Sequence, residues 1–356
     1  MPIDLSAIQE ITARRYPPEE CPALSWLHGE WRRTRPLEGM RVLDATPLFH
    51  NTLVKHLALL EGGAQLAVGL GDAIPADPQA IELLRQAGIP VLNQTDEAPW
   101  PLDLVLDCAG VHRHRRPRLG AVELTRSGAH YYQHAPYPVL LADDSRCKLV
   151  ETMLGTGDGF RRAMAQLGHG DFGEKSIVVF GCGKVGRGVA LATQTAGAQL
   201  TVVDDAKRCS SPAGMRLIDL HDRAAIAAAV RAAWCVVTVT GVRNAIVQCI
   251  EPQILINSKA LLANMGAEDE YGPAIPADRV LADKQPLNFQ LEEPTRMRYI
   301  APTMALDNLC ALELLAQTTP PGLHPAPREL DANVLAIEVA HSRIAEEISA
   351  AGLANH

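Results

Sequence analysis

The run Gly181-Cys182-Gly183-Lys184-Val185-Gly186 carries the clearest chemistry in the chain. It follows the apolar stretch Ser176–Phe180 directly and opens the Ala-rich helical pattern Val185–Ala196. An acid, Asp204, stands 18 residues beyond Gly186, after a second apolar stretch. Strand, glycine turn, helix and distal acid together form a dinucleotide-binding fingerprint. Gly181 permits the tight turn, Gly183 lets backbone approach a pyrophosphate, and Gly186 lets helix pack on strand. The helix start, with Lys184 and Val185, offers N–H donors and a positive dipole end to the anion. Asp204 suits both ribose hydroxyls, which favours NAD as cofactor. Lys207 and Arg208 keep NADP as the lesser alternative. Thr240-Gly241 and Asn264-Met265-Gly266 end two later apolar stretches, at the strand edge where ligands sit in open α/β sheets. Each reads either as a cofactor-contacting turn or as a plain cap.

Other groups could act on a substrate. His50-Asn51 follows a first short apolar run at the same kind of edge. His112 and His114 flank Arg113 after another. All read as substrate contacts or as loop residues. Cys108 has no obvious histidine partner and reads as a packing thiol.

The elements that must hold these groups alternate. Short strands are predicted at 39–44, 64–68, 89–92 and 104–107, with helices at 52–60 and 78–87. Residues 120–132 read as a βα turn or a short strand. Residues 149–167 read as one helix, despite Gly155, Gly157 and Gly159, or as two short helices around a loop. A second array has strands at 176–180, 200–203, 234–240 and 260–264, with helices at 185–196 and 222–233. Helices at 307–318 and 331–350 are joined by a stiff linker, Pro320–Pro327. Residues 1–37 read as a helix with an extended lead-in.

A chain of 356 residues suggests about two domains. Net charge is −8, so no global basic field draws nucleic acid. The cluster Arg113, Arg115, Arg116 and Arg118 reads as a solvated loop. No apolar run of about 18 residues predicts a membrane span. The start, Met1-Pro-Ile-Asp-Leu-Ser6, does not read as a secretory signal. The 8 cysteines show no Cys-x-x-Cys spacing and read as free thiols of a cytoplasmic protein. No His/Cys spacing calls for a metal.

The residues resemble the S-adenosylhomocysteine hydrolase family. Gly157-Asp158-Gly159-Phe-Arg-Arg162-Ala163 is similar to that family's helix before the fingerprint. Val202-Val-Asp204, Val237-Thr-Val-Thr240-Gly241 and Asn264-Met-Gly266 resemble three of its strand ends. Val105-Leu-Asp107 resembles its Leu-Asp-Asp-Gly-Gly-Asp, Ala87-Gly-Ile-Pro-Val91 has a counterpart, and Glu123-Leu-Thr125-Arg-Ser127-Gly128-Ala-His130 resembles its Glu-Glu-Thr-Thr-Thr-Gly-Val-His. The likeness spans about residues 38 to 318, dense in the cofactor half and thin in the substrate half. It implies a Rossmann domain holding NAD, inserted in an α/β substrate domain. It also implies that Thr125 and Ser127 contact the nicotinamide end, and that His130 either relays a proton or is structural.

The departures fall on the chemistry. The family's His-Met-Thr reads Pro47-Leu-Phe49, its second Asp is Cys108, its second Glu is Leu124, and its His after Asn-x-Gly is Ala267. The Lys and Asp of its Lys-Phe-Asp-Asn fall on Ser145 and Cys147. The family's C-terminal Lys/Tyr tail has no counterpart. A short gap aligns Lys148 with the family's base, with Asp143 or Asp144 to orient it. Arg126 replaces a small hydroxyl residue and could clamp a carboxylate.

These readings predict an α/β fold of two domains, residues 1–150 with 305–356 as the substrate type and 151–304 as the Rossmann insert. The crossings at Gly155–Gly159 and 302–307 would form a hinge, and the chain would be a homodimer. The expected function is an NAD-dependent oxidoreductase, or redox-initiated lyase, on a small carboxylate-bearing alcohol or amine. The alternatives are a non-catalytic NAD-binding sensor and a true adenosylhomocysteine hydrolase.

Overall fold

The computed structural model describes residues 3–72, 74–209 and 214–354. Met1 and Pro2 of the start discussed above lie outside these residues. The chain divides into two compact units: Met1–Val150 with Met297–His356, and Glu151–Arg296.

The first unit opens with two helices, α1 (Ser6–Arg15) and α2 (Pro22–Thr34), where one helix with an extended lead-in was expected. Then come β1 (Arg41–Asp44), α3 (Thr52–Glu61), β2 (Gln65–Gly69), α4 (Pro78–Gln86), β3 (Val91–Leu92), β4 (Leu104–Asp107), β5 (Gly120–Glu123), α5 (Arg126–Tyr132), β6 (Pro138–Leu141) and α6 (Arg146–Leu149). The second unit holds α7 (Thr156–Gln166), β7 (Ser176–Phe180), α8 (Lys184–Thr195), β8 (Gln199–Asp204), β9 (Arg216–Asp219), α9 (Arg223–Ala232), β10 (Cys235–Thr238), α10 (Ile246–Cys249), α11 (Pro252–Asn257) and β11 (Leu261–Asn264). The chain returns to the first unit with α12 (Met297–Glu313), β12 (Gly322–Pro325), α13 (Arg328–His341) and α14 (Ala345–Ala350).

Both sheets are parallel, in the orders β12-β6-β5-β4-β1-β2-β3 and β11-β10-β7-β8-β9. In each, strand order reverses around the unit's first strand, β1 or β7. That reversal opens a crevice at the carboxyl ends of β1 and β4, and of β7 and β10. Both sheets have buried faces, so their strands read as apolar runs: Val178, Val179 and Val236 are wholly buried.

Five readings need correction. The helix expected over 331–350 is broken into Arg328–His341 and Ala345–Ala350. Pro320–Pro327 is not a linker: Gly322–Pro325 pairs with Pro138–Leu141 as an edge strand. An edge tolerates Pro325 because one side of the strand needs no donors. Residues 149–167 contain no loop. A π-helical turn, Val150–Gly155, joins α6 to α7. The helix expected from 307 begins at Met297 and contains Pro302. Finally, Cys182 and Cys209 are bridged by a disulfide, whereas Cys21, Cys108, Cys147, Cys235, Cys249 and Cys310 are free.

The glycines near 157 have a packing cause. A Cβ on Gly157 would stand 2.5 Å from the Gly188 carbonyl oxygen. One on Gly159 would stand 2.8 Å from that of Pro294. Among the described residues no helix is long and apolar enough to cross a membrane.

Candidate functional site

In the second unit β7 delivers the chain to Gly181, whose φ of +109° suits glycine. A Cβ there would also lie 2.7 Å from the Val239 carbonyl oxygen. At Gly186 a Cβ would strike the Gly181 carbonyl, so the helix can approach the turn only as glycine. Beside Gly183 nothing lies within 4 Å, which leaves open space for a ligand. Gly183 is the N-cap of α8 and places no side chain over the first-turn N–H groups, which include those of Lys184, Val185 and Gly186.

Asp204 ends β8 beside this loop. Its Oδ2 accepts the Cys182 N–H at 2.5 Å and its Oδ1 the Asp205 N–H at 2.7 Å. Each oxygen keeps a lone pair for a ribose hydroxyl. A cavity of about 480 Å³ opens here, lined by Gly181, Gly183, Asp204, Arg208 and Thr240 among others. An open cavity, an uncapped helix start and a paired-acceptor acid fit a dinucleotide.

The Thr240-Gly241 turn depends on a residue missed in the sequence. Glu270 is fully buried and accepts the Thr240 N–H at 2.8 Å, the Thr240 hydroxyl at 2.9 Å and the Gly241 N–H at 2.6 Å. Burial raises its pKa, and these donors oppose that. Glu270 sits in an unremarkable acidic stretch, so only its burial distinguishes it. The Asn264 side chain is bonded within the protein. Its Oδ1 accepts from Thr238 and Gly266, and its Nδ2 donates to Gly266, Glu268 and Lys284 carbonyls. Its side chain thereby braces the turn.

In the first unit, parallel register places Asp107 beside Glu123 at the carboxyl ends of β4 and β5. Both are buried. Asp107 accepts the Cys108 N–H and the Tyr132 hydroxyl, the latter at 2.5 Å, and both its oxygens accept from the His112 N–H. Glu123 accepts N–H groups of Ala109, Gly110 and Thr125, and the Thr125 hydroxyl at 2.6 Å. Ala109 and Gly110 adopt φ of +58° and +64°, which turns their N–H groups inward. Burial pushes Asp107 up to about 6. Burial and the Asp107 charge push Glu123 up to about 8. Gly128 faces the Glu123 carboxylate so closely that a Cβ there would collide with it.

The other predicted site residues divide by environment. Lys148 is buried at 4% exposure, on α6 behind the N-cap Ser145. Thr125 caps α5 and is tied to Glu123, Ala109 and Ser127, so its hydroxyl already has partners where a nicotinamide contact was expected. His130 is exposed, its ring 3.7 Å from that of Tyr131. Asp144 pairs with Arg126 at 3.0 Å, and both side chains are exposed. His50 is buried, with Nδ1 2.8 Å from Asp77, and Asn51 is buried beside it. His112 is buried and pushed down to about 4, chiefly by burial. The apolar replacements Cys108 and Leu124 pack together with Ala142 in one small core.

A further polar centre was not anticipated. Lys55 of α3, wholly buried, pairs with Asp44 and, at 2.8 Å, with Asp307 of α12. Burial alone would lower Lys55, but the two carboxylates hold it raised. Burial pushes His56, beside it, down to about 4.

Residues 154–273 match the S-adenosyl-L-homocysteine hydrolase NAD-binding domain. Among curated proteins, an adenosylhomocysteinase of Thermoplasma acidophilum is 24% identical over 283 positions, covering 70% of this chain and 66% of the relative. S-inosyl-L-homocysteine hydrolases of Methanopyrus kandleri and Methanosarcina mazei are 28% and 25% identical, covering 52% and 92% of this chain and 50% and 91% of theirs. The chain thus spans 66%, 50% and 91% of the lengths of these three relatives. Among solved structures, a dipicolinate synthase chain from Bacillus halodurans superimposes with a TM-score of 0.48 at 12% identity, over 78% of this chain and 98% of that one.

Proposed function

We propose that this chain, a divergent relative of the S-adenosylhomocysteine hydrolases with an NAD-binding domain, is an NAD-dependent oxidoreductase, or redox-initiated lyase. Its substrate class is a small alcohol or amine bearing a carboxylate. One observation carries the reading. The dinucleotide cradle is complete, while the acids that the family uses on its substrate are replaced by Cys108 and Leu124, packed as apolar core. Cofactor chemistry is thereby kept and the nucleoside thioether chemistry is not supported.

Gly181, Gly183, Gly186 and the start of α8 would hold the pyrophosphate, and Asp204 the adenosine ribose. Bound NAD supplies a hydride acceptor. Lys148 is proposed as the base that takes the proton from the substrate hydroxyl or amine. Its burial keeps bulk water from competing for that proton. Arg126 is the proposed carboxylate clamp. Its exposed pair with Asp144 is worth at most about 1 kcal/mol and can yield to a substrate anion. In this scheme Asp144 is the resting partner of Arg126, and exposed His130 has no assigned step. The Glu123–Asp107 pair positions the 108–112 loop.

The test begins by denaturing the purified protein and identifying the released nucleotide. Panels of 2-hydroxy and 2-amino acids, with adenosylhomocysteine as control, are then followed by nicotinamide absorbance at 340 nm. Turnover that falls at least 100-fold in Lys148→Met, with NAD affinity retained, supports the scheme. NAD binding without turnover on any substrate would favour the sensor reading, and turnover of adenosylhomocysteine alone would overturn the substrate class.

A further inference from the structure

Cys182 is the second residue of the fingerprint and lines the dinucleotide cavity. Cys209 closes the turn after β8, whose N–H groups at Arg208 and Cys209 both reach the Asp205 carbonyl at 2.9 Å. Their Cα atoms are 6.5 Å apart, within the roughly 4.4–6.8 Å that a disulfide spans. The two sulfurs are bonded, across 27 residues of sequence. Both cysteines pack with Val202, Met215 and Leu217. Of the six other cysteines, five are buried singly and Cys249 is half-buried in the cavity wall.

This bridge encloses the ribose-binding acid. Asp204 already accepts from Cys182 on one side and from Asp205 on the other. The covalent link joins the same two segments, the phosphate turn and the 205–209 turn. The cavity stays open with the bridge in place, at about 480 Å³. The bridged form is therefore built to receive the adenosine half and not to block it. In the dithiol form the 205–209 turn loses its covalent anchor, and ligand binding must order it.

We infer that Cys182 and Cys209 form a reversible redox latch that sets how tightly the dinucleotide is held. The inference rests on the NAD reading of this cavity. Closing needs a two-electron oxidant of the disulfide class, such as glutathione disulfide. One protein thiolate attacks it, giving a mixed disulfide and one glutathione thiolate. The second protein thiolate then displaces the other glutathione. Two protein thiols are oxidised, one glutathione disulfide is reduced to two thiols, and the two protons pass to glutathione. Cys182 lines the open cavity, the side from which a small disulfide can reach it. Preorganising a loop raises affinity by removing ordering entropy from the binding step. An anchored five-residue turn is expected to tighten NAD about 5- to 10-fold.

The experiment uses the full chain, stripped of nucleotide. It is equilibrated with either glutathione disulfide or dithiothreitol, and NAD binding is measured by calorimetry. Peptide mass mapping of the oxidised sample is expected to show Cys182 linked to Cys209. NAD should bind 5- to 10-fold more tightly to the oxidised sample. Cys209→Ser should bind at the reduced-state affinity under both conditions. No 182–209 linkage, equal affinities in the two states, or a redox effect that persists in Cys209→Ser would each overturn the latch. Weaker NAD binding in the bridged form would do the same. The mass mapping decides the point on the parent protein even if Cys209→Ser does not fold. Failure to bind NAD in either state refutes the NAD reading itself, and the latch with it.

Discussion

Replacing Gly157 with Ala sets helix propensity against packing. In an isolated helix the change gains about 1 kcal/mol. Here α7 crosses α8 with Gly157 against Gly188, and the added methyl would stand 2.5 Å from the Gly188 carbonyl oxygen and 2.9 Å from the Ala192 Cβ. An ordinary C···O approach is about 3.3 Å, so the helices must part by roughly 0.8 Å. Overpacking of this kind costs typically 1–3 kcal/mol, and backbone on the far side puts it at the upper end. The net expectation is a loss of about 1–2 kcal/mol, or a melting temperature lower by about 3–8 °C for a unit of this size. Calorimetry of Gly157→Ala beside Gly29→Ala decides the matter. Gly29 lies exposed within α2 with nothing within 4 Å, so its substitution should follow propensity and stabilise by about 0.5–1 kcal/mol. A Gly157→Ala protein as stable as its parent, alongside a stabilised Gly29→Ala, would refute the reading of the crossing.

Asp204→Asn should weaken NAD about 10- to 100-fold while leaving NADP little changed, because the ribose diol loses charge-assisted acceptors; calorimetric Kd values for both nucleotides check this. Gly128→Ala should lower the melting temperature and dislodge the 108–112 loop, because its methyl meets the Glu123 carboxylate; faster proteolysis within that loop is the readout. Glu338 is fully buried, with only the Ala23 N–H for a partner among the described residues, and burial pushes it up to about 8. The folded state then holds its proton more tightly than the unfolded state, so this group costs nothing below the ordinary carboxylate range. Its cost grows as pH rises from about 4.5 to 8, by roughly 1.4 kcal/mol per unit. Glu338→Gln should therefore match its parent near pH 4 and exceed it in stability near pH 8; an advantage that shrinks with rising pH would contradict the assignment.

The strands whose bounds were most legible in the sequence are buried on both faces. Ser176–Phe180 and Leu104–Asp107 are uninterrupted apolar runs ended by turn residues, and their observed bounds are the expected ones. Of the strands that escaped notice, Pro138–Leu141 is a buried apolar run, and two others lack that signal. Arg216–Asp219 has only two apolar residues, at the edge of its sheet, and Gly322–Pro325 lies between prolines that read as a linker. Periodicity reports burial, and edge strands are buried least. The π-turn at Val150–Gly155 has no local signature either.

The site divides along the same line between local and non-local causes. Gly181, Gly183 and Gly186 were legible because each answers a short-range demand, a positive φ or a close backbone approach, that only glycine meets. Glu270, Lys55 and Asp307 were not. Lys55 is polar within Thr52-Leu-Val-Lys-His-Leu-Ala-Leu-Leu, a helix that the sequence reads as simply apolar. Its partner Asp307 lies more than two hundred residues away, and only tertiary structure brings the charges together. A buried lysine is tolerable only with such partners, since an unpaired one would lose its charge or cost several kcal/mol. Burial of the pair is therefore weak support for stability and fair support for specificity. Mispacking of α12 on α3 would leave Lys55 and Asp307 uncompensated, so these charges admit one register of the two helices and penalise the others.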